Sequence, residues 1–432
     1  MGAPKVSDLF RLLAVFILPV LLVAAPAGIA AQSTPLEILF WYPDLDRVRE
    51  SNQELVKSFN DSVGRALGIR VSAKSQGNPA ELGRRLAAAA ASGTAPDVSV
   101  VEAGILGPLI GAGAIASLDG LVERDRYDLS DFRPGLLRDS FIGGRLYALP
   151  FLRSVPVLYM NLDILRQAGL DVRGPADWKD LERYCRAIKE RTGHPGLILG
   201  SEIVLYETFL LQAGTSLLAE DGRSCNIASE PALEAVRFFR RLSDEGLVRI
   251  LSSRDLTKSI PDPSSLKCGM WYMSSAAAAP LGTLARLFRF ELGAAPLPIL
   301  LRGGAVPGGY NLAISAGLAP SRREAAWEFV KWMTASEQSV RSSVRTGYLP
   351  LRPGPTASED LGTYLSGTLS ARAALAQLSS AGGRRQVPSY PEVSRVILAA
   401  LDAAWTEGRD VDAVFTAAAS RCDALLAGSG GT

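Results

Sequence analysis

The residues best suited to hold a polar ligand stand at the ends of apolar runs. Glu102 follows the apolar stretch of PDVSVVEAG (96–104). An ionised carboxylate there can accept hydrogen bonds from neighbouring hydroxyls. Gly308 and Gly309 precede YNLAIS. Without a Cβ they can bring backbone N–H groups close to a ligand, or simply make a turn. Ser274 and Ser275 follow GMWYM and precede an alanine run. Such serines cap a helix or turn hydroxyls and amides toward an anion. Arg384 and Arg385 are adjacent, and a guanidinium fork fits phosphate well. Its bland alternative is a solvated pair on an arginine-rich surface.

Other chemistries find little support. The single histidine, His194, lies in the turn-like TGHPG. There is no GxSxG elbow, Walker A motif, HExxH or CxxC. GAGAIA (111–116) loosely matches GxGxxA, but ILGPLI before it is not a strand, so a helix-end turn is expected. Four scattered cysteines (Cys185, Cys225, Cys268, Cys422) suit neither a zinc knuckle nor a disulfide scaffold. Neither a cofactor nor a metal is expected. The 46 basic and 44 acidic residues give a net charge of +2, which excludes a strongly basic nucleic-acid binder.

These groups need elements to position them. The 432 residues allow two large domains or three smaller ones. Lys5 and Arg11, the apolar run LLAVFILPVLLV (12–23) and the small residues of AAPAGIAAQ have the form of a secretory signal. Cleavage is expected after Ala30 or Ala31; an uncleaved anchor is the alternative. The product then works in the periplasm or outside the cell, where disulfides are permitted and three full pairings are open. Strands are expected at 36–40, 68–75 and 96–104, with helices at about 46–62 and 81–93 between them. That alternation implies an α/β fold with a largely parallel sheet. Further helices are expected after the cap Asp177, at about 231–245, at 322–335 and through 391–427. Trp327 and Trp332 in the third of these read as core packing. A flexible GSGGT tail closes the chain.

Six segments occur in order: YALPFLRSVPVLYMNLDIL (147–165), RFELGAAPLPI (289–299), GGYNLAIS (308–315), EAAWEFVKWMTASEQ (324–338), TGYLPLRP (346–353) and PSYPEVSRVILAALDAAW (388–405). This series resembles the extracellular solute-binding proteins of carbohydrate-type ABC importers, the maltose-binding-protein class. Within it, the chain is most similar to the glycerol-3-phosphate and glycerophosphodiester-binding components. The resemblance implies a two-lobe fold with several crossovers and a ligand cleft between the lobes. Lobe 1 would comprise 32–148 and about 292–340, and lobe 2 149–291 and about 341–427. It also implies ligand roles for Glu102, Ser154, Ser274 or Ser275, Gly309 beside Gly308, Tyr348 and Arg385, with Arg384 as the alternative arginine. Glu102 and Gly309 would lie on the first lobe, and Ser274, Ser275, Tyr348 and Arg385 on the second.

Two positions depart from the family, where aromatic side chains meet Pro79 and Ile203. A smaller wall at Ile203 leaves room beyond a phosphate. A glycerophosphodiester is therefore expected over glycerol-3-phosphate, with a di- or oligosaccharide as the alternative. The expected partners are the ligand and ABC permease subunits. No nucleic acid is expected, and the chain should act as a monomer without catalysis. A secreted phosphodiesterase is the rival class, but it needs a metal cluster or an activated nucleophile.

Overall fold

Alternation of buried and less buried side chains produces strand β1 (Leu36–Tyr42), with Ile38, Phe40 and Tyr42 buried. The computed structural model describes residues 34–255, 265–352 and 358–428. The expected signal segment and residues 429–432 of the tail lie outside them. Next come the helix Asp46–Asp61, β2 (Ile69–Ser75), the helix Pro79–Ala91 and β3 (Val98–Glu102). Asn78 and Glu81 cap the second helix reciprocally, so Pro79 falls at a position where its missing N–H costs nothing.

β4 (Ala148–Ser154) and β5 (Pro156–Asn161) are almost continuous in sequence but belong to different sheets. β6 (Leu197–Gly200), β7 (Val248–Leu251), β8 (Met270–Ser274), β9 (Leu292–Ala295) and β10 (Gly308–Ile314) complete the set. The first sheet has the order β2-β1-β3-β10-β4 and the second β9-β5-β8-β6-β7. β1, β2 and β3 pair in parallel, whereas β10 runs antiparallel to both β3 and β4.

Each sheet has its own core. Phe40, Phe59 and Phe329 meet edge to face beside the first sheet. Trp178, Phe209 and Phe239 cluster beside the second. Trp327 is buried in the first core and its indole N–H donates to Asp125, as expected for packing. The helices Tyr390–Trp405 and Val411–Gly428 pack into the second core.

The sheets correct two expected boundaries. β4 stays in the first sheet to Ser154, beyond 148. β9 pairs with β5, so Leu292–Ala295 belongs to the second sheet. Ala148–Leu152 of β4 and all of β9 are apolar, and an apolar stretch reads alike in either core. The chain thus crosses at Val155 and again between Ala295 and Gly308.

Candidate ligand-binding site

The crossover at Val155 is fixed by Ser275. Its N–H donates to the Val155 carbonyl at 2.8 Å, and its Oγ accepts the Val155 N–H at 3.3 Å. Ser275 is 1% exposed, and its hydroxyl serves this junction. Ser274, whose Oγ accepts the Ala276 N–H at 3.2 Å, lines a cavity of about 120 Å³ at the crossover together with Ser154, Glu202, Val204, Gly308 and Gly309. Ser154 and Gly308 are register partners on β4 and β10.

Gly309 is required by its backbone. Its φ is 101°, and a Cβ there would lie 2.0 Å from the Leu152 carbonyl oxygen. The strand register shifts just beyond it, between Tyr310 and Asn311. This bulge re-aims the strand end at the crossover.

Glu102 ends β3 opposite Tyr310 of β10. Its carboxylate has no hydrogen-bond partner among the described residues and remains open to solvent. Protein surrounds it even so: desolvation raises its pKa, and the Arg384 charge opposes that rise. Tyr348 lies nearby, its ring centroid 6.4 Å from that of Tyr310. Burial and the Glu102 charge push the Tyr348 pKa up to about 12. Tyr348 was expected on the second lobe. It sits with the first, because the next residue, Leu349, donates its N–H to the Arg153 carbonyl at 2.7 Å.

Arg384 and Arg385 have different fates. Arg384 makes a bidentate ion pair with Glu207, with Nη2 to Oε2 at 2.6 Å and Nε to Oε1 at 3.0 Å. The Tyr390 hydroxyl donates to the same carboxylate at 2.7 Å, and the Arg384 N–H donates to Asp139. Asp139 in turn holds the fully buried Arg153 at 2.8 Å. Arg385 is exposed and makes no ion pair among the described residues. It lines a second cavity of about 510 Å³ with Arg138, Leu218 and Glu220.

Ile203 lines neither cavity. It opens the helix Ile203–Gln212 and packs, half-buried, against the second core. Its neighbour Val204 faces Gly308 instead, 3.3 Å from where a Cβ would stand. Pro79 lines neither cavity either.

Sequence reasoning missed Glu202. It precedes the helix Ile203–Gln212 without capping it; its side chain reaches solvent, yet the protein around it desolvates the carboxyl and raises its pKa to about 6. No motif marks it; only the cavity does. Glu207, Asp139 and Arg153 were also missed, because their partners are distant in sequence.

The family model described as bacterial extracellular solute-binding protein matches residues 54–364. The chain belongs to this family. Among relatives of this solute-binding protein is the sn-glycerol-3-phosphate-binding periplasmic protein UgpB of Brucella melitensis biotype 1. It is 25% identical over 73% of this chain and 74% of its own. UgpB from Mycobacterium tuberculosis, solved in complex with glycerophosphocholine, superposes with a TM-score of 0.77 at 25% identity. That match covers 91% of this chain and 99% of the other. The sugar-binding protein MalE of Xanthomonas citri has a TM-score of 0.78 at 19% identity, covering 91% and 98%, which bears on the fold alone. The two-lobe architecture is that of periplasmic binding proteins. This solute-binding protein is therefore an extracytoplasmic component of an ABC importer that takes a small-molecule ligand.

Proposed function

We propose that the ligand is a glycerophosphodiester such as glycerophosphocholine, held without chemical change and passed to permease subunits. One observation carries this reading: both adjacent arginines line one cavity, but Arg384 is neutralised there by Glu207, whereas Arg385 makes no ion pair among the described residues. A volume of about 510 Å³ falls within the range of small-molecule sites. The likeness to the glycerophosphocholine-bound UgpB supports the same ligand class. In this reading Arg385 binds the phosphodiester and Glu102 accepts from glycerol hydroxyls. Ser154, Ser274 and the Gly308–Gly309 backbone line the separate crossover cavity, and Glu102 lines neither cavity, so this reading requires one ligand to reach from Arg385 to all of them. Contacts from both lobes favour the closed form, so the ligand shifts a hinge equilibrium.

A di- or oligosaccharide is the second reading. It is favoured by Glu202, a second carboxylate without a basic partner at the crossover cavity. Competition calorimetry with glycerophosphocholine, glycerol-3-phosphate and maltose tests both. Tightest binding of glycerophosphocholine is expected. Binding of maltose and of neither phosphate would overturn the proposal.

A further inference from the structure

The loop after the helix Ile203–Gln212 folds back on itself as a tight hairpin. Leu218 bridges Cys225 antiparallel, the Gly222 N–H donates to the Ala219 carbonyl at 3.0 Å, and the Asn226 N–H donates to the Leu217 carbonyl at 3.0 Å. Leu217, Leu218 and Glu220 of this hairpin wall the 510 Å³ cavity. Its base is tied to the C-terminal helix, because the Cys225 N–H donates to Asp423 Oδ1 at 2.7 Å. Asp423 follows Cys422. The two thiols touch through a hydrogen bond, and both lie beside the Tyr206 hydroxyl. A disulfide requires two thiols in contact of this kind.

We infer that Cys225 and Cys422 form a disulfide in the exported protein, one that fastens the cavity-wall hairpin to the C-terminal helix. The family is extracellular, and such compartments sustain disulfides. The electron acceptor is a protein or glutathione disulfide. Cys225, only half-buried, attacks it and forms a mixed disulfide, releasing one acceptor thiol. Cys422 then attacks the Cys225 sulfur and expels the second acceptor thiol. Each cysteine loses one proton and one electron, and the acceptor gains both pairs.

The test is a peptide map of the mature chain refolded in glutathione redox buffer, then alkylated under denaturing conditions without reductant. Mass spectrometry should find the Cys225 and Cys422 peptides joined, and separated after reduction. Full alkylation of both, or a link from Cys225 to Cys185 or Cys268, would overturn the inference. Reductant should also lower the wild-type Tm by about 5 °C. A protein with Cys225→Ser and Cys422→Ser should not respond to reductant. An equal drop in that protein would count against the bond, and the peptide map requires no variant at all.

Discussion

Arg384 and Glu207 form a two-pronged ion pair that is sealed from water, with side chains 4% and 6% exposed. The Arg384 guanidinium carbon also lies 5.2 Å from the Tyr390 ring centroid. The pair holds the Arg384 charge, whereas its neighbour Arg385 is exposed and makes no ion pair among the described residues. Breaking such a pair leaves an uncompensated buried charge, whereas replacing both partners removes that charge. Arg384→Met should therefore cost about 3–5 kcal/mol of stability, and adding Glu207→Leu should recover much of it. Urea unfolding of the three proteins checks this. Equal loss in the single and double variants would refute it.

Arg385→Ala should leave unfolding unchanged within about 0.5 kcal/mol, since the side chain is exposed. Binding of glycerophosphocholine should weaken by about 1.5–3 kcal/mol, the usual worth of a hydrogen bond to a charged group. Calorimetry reads the difference. Unaltered affinity would remove Arg385 from the site.

Glu102→Gln keeps the shape of the side chain but turns one accepting oxygen into a donor. Affinity should fall by about 1–3 kcal/mol. A carboxylate that merely faces water would give normal binding on the same titration.

Glu202 supplies a pH dependence. Its pKa rises from 4.5 to about 6 in the folded protein, so the folded state holds the proton more tightly than the unfolded one. Stability therefore falls as pH rises from about 4.5 through about 6. Glu202→Gln should flatten this slope and stabilise the protein at neutral pH. Unfolding midpoints at pH 4.5 and 7.5 measure it, and an unchanged slope would contradict the assignment.

The wall of the crossover cavity is Val204, so substitutions one residue apart should separate. Val204→Trp should fill space beside Gly308 and abolish binding that uses this cavity. Ile203→Trp should instead overpack the second core, at about 1–3 kcal/mol of stability. Paired titrations and melts distinguish the two. Loss of binding with Ile203→Trp alone would restore Ile203 to the site.

Much of the architecture was legible locally. Alternation marked β1, and Asp177 marked the start of the helix Trp178–Thr192. Caps and periodicity act over a few residues, so a linear reading reaches them. The helices at 230–244 and 320–333 were found within two residues for the same reason.

The sequence by itself determined the elements, the balanced charge and the set of polar residues from which a site is drawn. Only the tertiary structure decided which of these face the cavities. Ser274 and Ser275 are adjacent, yet Ser275 is held by the Val155 crossover, whereas Ser274 caps the following turn and lines the cavity. Arg384 and Arg385 are adjacent, yet Glu207, from a helix far back in the chain, neutralises only the first. Cys225 and Cys422 meet because the hairpin docks on the C-terminal helix. A side chain's charge and direction are set by what packs against it, and those contacts join residues that the linear order keeps apart.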